Sequence, residues 1–243
     1  MASVQLVRHA TLLVRTGGVT FLVDPMLADA GARDPIPNTP NERRNPLVGL
    51  PDVALDPDAV VVTHTHADHF DDAAADRLDH ELPVFCQPED VDAIAAAGFT
   101  DVRPVGSSTP FWGVKLTRTD GRHGHGPIAD ELGPVSGVVF EAPDEPSVYV
   151  AGDTVWCDAL ADALETHEPA AVVLNAGGAR FVGSEPITMT AEDVRKVRAA
   201  APEATLVAVH LDAINHCLLS RAELGAAVPD VAVPDDGETV ELG

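Results

Sequence analysis

Cysteine is scarce: Cys86, Cys157 and Cys217 are scattered through 243 residues and odd in number. No disulfide framework can be built from them, and they fit a reducing compartment. Lysine is nearly absent, with only Lys115 and Lys196, and the formal net charge is −24. A chain so short of cations argues against a broad nucleic-acid surface, because phosphate binding needs clustered lysine and arginine. No apolar run approaches the ~20 residues of a membrane span. The start, Met1 to His9, lacks a basic region followed by an apolar run, so no signal peptide is expected. The expectation is a cytoplasmic protein with no membrane and no nucleic-acid partner, for which a homo-oligomer stays open.

What is present is apolar and acidic. A hydrophobic content of 45% is ample for a sizeable core, and 243 residues suffice for one large α/β domain or two small ones. Abundant aspartate with few aromatics has two readings. One is a salt-adapted surface, since excess acid maintains solubility at high ionic strength. The other is the codon bias of a GC-rich genome.

Along the chain, strand and helix signals alternate. Residues 4–9, 11–15 and 19–23 are β-rich, the last two joined by Gly17-Gly18, a strong hairpin signal. Residues 25–57 are rich in proline and asparagine and show little periodicity. Residues 59–63 read as a buried strand, 71–80 as an aspartate-capped helix, and 88–97 as a helix with proline in its first turn and Gly98 after its end. Strands are expected over 111–119, 135–142, 147–151, 170–174 and 204–209, and helices over 190–200 and 220–227. The Thr190-x-x-Asp193 start approximates a capping box. No composition shift marks a linker, so residues 1–243 read as a single domain. The duplicated strand–helix content suggests two packed sheets with helices outside.

Polar residues end the apolar strands. Residues 59–63 run into His64, 147–152 into Asp153, 204–209 into His210, and 114–118 lead shortly to His123. Loops at strand ends are where a rigid scaffold holds chemistry. The segment His64-Thr65-His66-Ala67-Asp68-His69 packs three imidazoles and a carboxylate into six residues. In a tight turn, His64 and His66 can face one metal while Asp68 and His69 face a second. Two metals roughly 3.5–4 Å apart can share one hydroxide.

This His-x-His-x-Asp-His segment, a later histidine, Gly152-Asp153-Thr154 after a strand, and a final strand-terminal histidine together resemble the metallo-β-lactamase superfamily over nearly the whole chain. The openings Arg8-His9-Ala10-Thr11-Leu12-Leu13 and Phe21-Leu22-Val23-Asp24-Pro25 resemble the branch containing L-ascorbate-6-phosphate lactonase. The resemblance implies an αββα sandwich of two mixed sheets with the metals at one edge. It implies His64, His66 and His123 on the first metal, Asp68, His69 and His210 on the second, and Asp153 bridging. Arg122-His123-Gly124-His125-Gly126 offers two histidines for one ligand position. His123 is preferred, and because both precede a glycine the choice stays open. The cofactors implied are two divalent ions, zinc by default with manganese or iron as alternatives.

Two such ions lower the pKa of a shared water towards neutrality, and the resulting hydroxide attacks a carbonyl or phosphoryl centre. Asp68 would also hold or relay the nucleophile's proton. Asp24 could orient a ligand imidazole. The 25–57 segment and His216 are expected on the substrate side. Arg33, Arg43 and Arg44 could bind an anionic group, and His216 could donate to a substrate oxygen or protonate a leaving group. The leading reading is a hydrolase of a small-molecule lactone, ester, thioester or amide. The alternatives are a phosphodiesterase or ribonuclease of the same superfamily, and a non-catalytic metal or ligand sensor.

Overall fold

Gly17 and Gly18 both take left-handed backbone (φ 59° and 76°), and they turn β2 (Thr11–Thr16) back on β3 (Val19–Val23) after β1 (Ser3–Arg8) has already paired antiparallel with β2. Such a turn matches the twist of the flanking strands. The computed structural model, which describes all 243 residues, continues with β4 (Ala59–Val62), α1 (Asp72–Arg77), β5 (Val84–Cys86), α2 (Val91–Ala96) and β6 (Val102–Pro104). Strands β3 to β6 pair parallel, joined by a long helix-free crossover between β3 and β4 and by crossovers through α1 and α2 thereafter. The second half supplies β7 (Ser108–Phe111), β8 (Val114–Asp120), α3 (Pro127–Leu132), β9 (Ser136–Glu141), β10 (Val148–Val150), α4 (Asp158–His167), β11 (Ala171–Asn175), α5 (Ala191–Ala200), β12 (Thr205–Val209) and α6 (Arg221–Ala227). The last strand, β13 (Thr239–Glu241), returns to pair with β1. The sheets run β13-β1-β2-β3-β4-β5-β6 and β12-β11-β10-β9-β8-β7, both mixed.

The period-two alternation of the strands decides the layers. Phe21, Val23, Ala59 and Val61 face inward with Leu116, Phe140, Val150, Val173 and Val207, so one core joins the two sheets. The intervening residues Tyr149, Val172, Leu174, Leu206 and Ala208 face outward and pack on Leu160, Leu164, Val194, Val197 and Leu224 of α4, α5 and α6. On the other face, Val60, Val62 and Val84 meet Ile94 of α2. The result is an αββα sandwich, the metallo-β-lactamase fold.

Several elements differ from the sequence reading. The 71–80 helix ends at Arg77, where Leu78 is extended. The 88–97 helix splits into a 3₁₀ turn, Pro88–Asp90, followed by α2. Strands β5, β6 and β13 were not expected. Each is three residues long, too short for a periodic signal, and each exists through its neighbours' ladder. The 25–57 segment carries no helix or strand, yet it is tied at several points. Buried Arg8 donates to the carbonyls of Met26, Ala28 and Val48. The Asp71 carboxylate accepts from the backbone N–H groups of Leu27 and Ala28 while also capping α1 through Ala74. Asn215 binds Asn45, Thr39, Asn41 and Ile36.

Candidate metal centre

Strands β4, β10 and β12 deliver His64, Asp153 and His210 to one edge of the sandwich. Each follows a buried apolar strand, and Asp153 and His210 are presented by special backbone. At Gly152 (φ 69°) a Cβ would lie 2.4 Å from the Ser136 carbonyl oxygen, so only glycine admits the turn that presents Asp153. Three non-glycine residues of the site, His9, Asp24 and His210, also have positive φ (61°, 44° and 66°). Conformations of this kind cost about 1–3 kcal/mol each and persist where the surroundings over-determine them.

The hydrogen bonds fix which ring nitrogen points inward. The Nδ1–H of His69 donates to Asp24 Oδ2 at 2.8 Å, since a carboxylate only accepts. The Nδ1–H of His123 donates to the Ile187 carbonyl at 2.9 Å, and the Nε2–H of His66 donates to the Leu132 carbonyl at 3.1 Å. Thr63 Oγ1 spends its proton on Asp24 Oδ2, so it accepts from His64 Nδ1 at 3.1 Å. His210 Nδ1 meets Cys217 Sγ at 3.4 Å. With the outer nitrogens so occupied, His64, His69, His123 and His210 turn Nε2 inward and His66 turns Nδ1 inward. These inner atoms crowd together. His64 Nε2 and His66 Nδ1 are 3.1 Å apart, and Asp153 Oδ2 lies 3.3 Å from His69 Nε2 and 3.5 Å from His123 Nε2. Asp153 Oδ1 is 3.4 Å, and Asp68 Oδ2 3.7 Å, from His210 Nε2. With metal–nitrogen bonds of about 2.0–2.1 Å, ligand atoms of a tetrahedral ion lie about 3.3 Å apart. Lone pairs at that spacing repel unless a cation lies between them. His69 Nε2 and His210 Nε2 are buried without any hydrogen-bond partner. The donor set therefore fits two metal ions.

Ring positions sort ligands from neighbours. Ligated imidazoles at near-tetrahedral angles have centres about 5 Å apart. His64, His66 and His123 are separated by 4.5, 5.3 and 5.7 Å, and His69 and His210 by 5.3 Å. His9 lies 3.7 Å from His210, too close for both rings to bind one ion. His9 is buried and its Nε2–H donates to Asp68 Oδ2 at 3.3 Å, so it orients that carboxylate. Asn175 does the same for Asp153, donating to Oδ1 at 2.7 Å.

The electrostatics follow from burial. Desolvation lowers the pKa of His64 and of His123, and brings His9 to about 3 and His216 to about 4, so these rings are neutral. Burial opposes ionisation of Asp68 and Asp153, but the surrounding imidazoles outweigh it and hold both well below the ordinary carboxylate range. Burial also opposes charge on His69, yet Asp153 and Asp24 on either side raise it well above its ordinary value.

The structure brings His64, His66, Asp68, His69, His123, Asp153 and His210 together, and Asp24 beside His69. His125 is exposed, so of the two candidate histidines His123 is the one at the centre. A cavity of about 340 Å³ opens in front, lined by His66, Asp68, His123 and His216 together with residues of the 25–57 segment. Of the three arginines considered, Arg33 lines it, and Arg43 and Arg44 do not. Sequence reasoning missed the outer partners Thr63, Leu132, Ile187, Cys217 and Asn175, for none of which a motif exists. Only their common position after or beside a ligand strand could have hinted at Thr63 and Asn175.

Comparison with known proteins agrees with this fold. Residues 20–211 match the family described as the β-lactamase superfamily domain. The protein YddR of Bacillus subtilis is 41% identical over 96% of this chain and 97% of its own. The crystal structure of an isothiocyanate hydrolase from Delia radicum gut bacteria superposes with a TM-score of 0.93 at 38% identity, covering 98% of each chain. That of a possible metal-dependent hydrolase from Veillonella parvula gives 0.94 at 37%, covering 99% of each.

Proposed function

Because the chain belongs to the metallo-β-lactamase superfamily and is a metal-dependent hydrolase of that fold, we propose that it holds two divalent ions and hydrolyses a small molecule at an electrophilic carbon. His64, His66 and His123 would hold one ion, and Asp68, His69 and His210 the other, with Asp153 between them. Zinc is the default, with manganese or iron as alternatives. The observation that carries this reading is the inward convergence of five imidazole nitrogens and two ionised carboxylates on one buried spot. When bound, the ions lower the pKa of a water and polarise the atom it attacks.

The chain's own residues do the rest. Asp68, kept anionic and oriented by His9, can take the proton released as water adds. His216 lines the cavity with its Nδ1 buried and without a partner. At a pKa of about 4 it is neutral near pH 7, so it serves as a hydrogen-bond donor to the substrate's heteroatom rather than as an imidazolium acid. Lactones, esters, thioesters and amides fit such a site, and the likeness of the opening segments to the L-ascorbate-6-phosphate lactonase branch speaks for the first. The likeness to an isothiocyanate hydrolase adds isothiocyanates. Water adds to the carbon of R–N=C=S, and the resulting thiocarbamic acid loses its C–N bond to give the amine and carbonyl sulfide. Three free cysteines support a reducing, cytoplasmic setting.

Metal analysis of the purified protein should find close to two transition-metal ions per chain, and His66→Ala should lose metal and turnover together. The loaded protein should be screened against lactones, thioesters, phosphodiesters and isothiocyanates. Absence of bound metal after supplementation with zinc, manganese and iron, or turnover of phosphodiesters alone, would overturn the proposal.

A further inference from the structure

The cavity over the metal centre has a chemically one-sided wall. Its floor is the donor set, but its sides are Met26, Ile36, Leu132, Phe181, Ile187 and Ile214. Met26, Ile187 and Ile214 are fully buried, which fixes their positions. Asn215 holds Ile36 from both sides, accepting from its N–H at 3.0 Å and donating to its carbonyl at 3.1 Å. Ile187 borders the cavity, and its carbonyl accepts from the Nδ1–H of His123. The N–H of Val182 donates to the Asn38 carbonyl at 2.8 Å, joining the loop of Phe181 to that of Ile36. The walls are therefore built before any substrate arrives.

Charge points the same way. Beyond the donor set, the charged residues that line the cavity are Arg33 and Asp34. Arg33 donates to the Ala67 carbonyl at 3.2 Å, and Asp34 is paired with Arg44. One arginine beside one carboxylate is no anion site, and a chain of net charge −24 repels anions at long range. Phosphate or carboxylate tails would call for converging arginines.

We propose that this cavity recognises an uncharged apolar substituent, an aryl or short alkyl group, of a small electrophilic substrate. The substituent lies among Ile36, Phe181, Ile187 and Ile214, with its reacting carbon towards the metal donors. The volume suits a single ring or a short chain, at the lower end of ligand sites. The proposal rests on the hydrolytic reading above.

Two measurements test the two readings apart. The first is turnover by the metal-loaded protein of methyl, benzyl and 4-carboxybenzyl isothiocyanate. The benzyl compound should exceed the methyl one in kcat/KM by about tenfold or more, and the carboxylated one should fall back by a similar factor. Phe181→Ala, on a half-buried loop, should bring the benzyl-to-methyl ratio towards one, and Ile36→Ser, at a second half-buried position, should do the same. The second is ligand-observed NMR with two unreactive probes, 4-methylbenzyl alcohol and 4-(hydroxymethyl)benzoate. Saturation should pass to the neutral ring and be lost in either variant. If no isothiocyanate turns over but the neutral ring still receives saturation, the choice of reacting group fails and the apolar subsite stands. Equal or better turnover of the carboxylated substrate, or saturation of the benzoate in preference to the alcohol, overturns the subsite.

Discussion

His9 offers the sharpest test of how the metal centre is held. Replacing it with phenylalanine keeps a flat ring against His210 and removes the Nε2–H that donates to Asp68. A hydrogen bond to a charged group contributes about 1.5–3 kcal/mol, and at 3.3 Å this one belongs at the lower end. A loss of about 1.5–2 kcal/mol corresponds to about 10–30-fold weaker binding of the second ion, at about 1.4 kcal/mol per tenfold, within the range for outer partners of metal ligands. The assay is chelator competition with a chromophoric indicator, which reads the two affinities separately. The site of His64, His66 and His123 should change far less. His9→Gln, which keeps an amide donor of similar reach, should recover most of the loss, which a mere packing role does not allow. Because His9 sits at positive φ (61°), unfolding of the metal-free variants must be measured alongside. Second-site affinity within threefold of the parent, in a His9→Phe protein that folds, would refute the orienting role.

Asp68→Asn should abolish turnover while leaving the metal-free fold nearly as stable as the parent, because the carboxylate faces the centre and not the core; near-native rates from a loaded variant would remove Asp68 from the chemistry. His216 has a folded-state pKa of about 4 against an ordinary 6.5. Its contribution to metal-free stability is therefore full above about pH 6.5 and is lost as pH falls towards 4, by up to about 3 kcal/mol. In denaturant titrations between pH 8 and 4.5 the parent should lose stability relative to His216→Phe as pH falls, whichever is the more stable at pH 8, and a pH-independent difference contradicts this. If the acidic surface is a salt adaptation, melting temperature should rise from low to molar KCl as self-repulsion is screened. A flat response favours genome composition as the source of the aspartates.

The sequence by itself carried the sandwich and the donor inventory, because both depend on local facts. Short, nearly unbroken apolar runs in residues 59–63 and 204–209 mark buried strands whatever they pack against, and a metal ligand must end such a strand in a residue of the right chemistry, as His64 and His210 do. The six-residue run from His64 to His69 needs no tertiary contact to be noticed. Tertiary structure alone decided the rest. His123 and His125 are equivalent in sequence, and they differ because the Ile187 carbonyl, 64 residues away, accepts from His123 and leaves His125 in solvent. The arginine at the cavity is Arg33, because the segment's course is set by Arg8, Asp71 and Asn215, none of them near in sequence to every residue they hold. Nothing in the sequence assigns His9 a role; its 3.7 Å approach to His210 excludes it as a co-ligand and its hydrogen bond ties it to Asp68. A hydrogen-bond partner is specified by direction and distance in space. Residue type and spacing along the chain constrain neither once the partners lie on different strands.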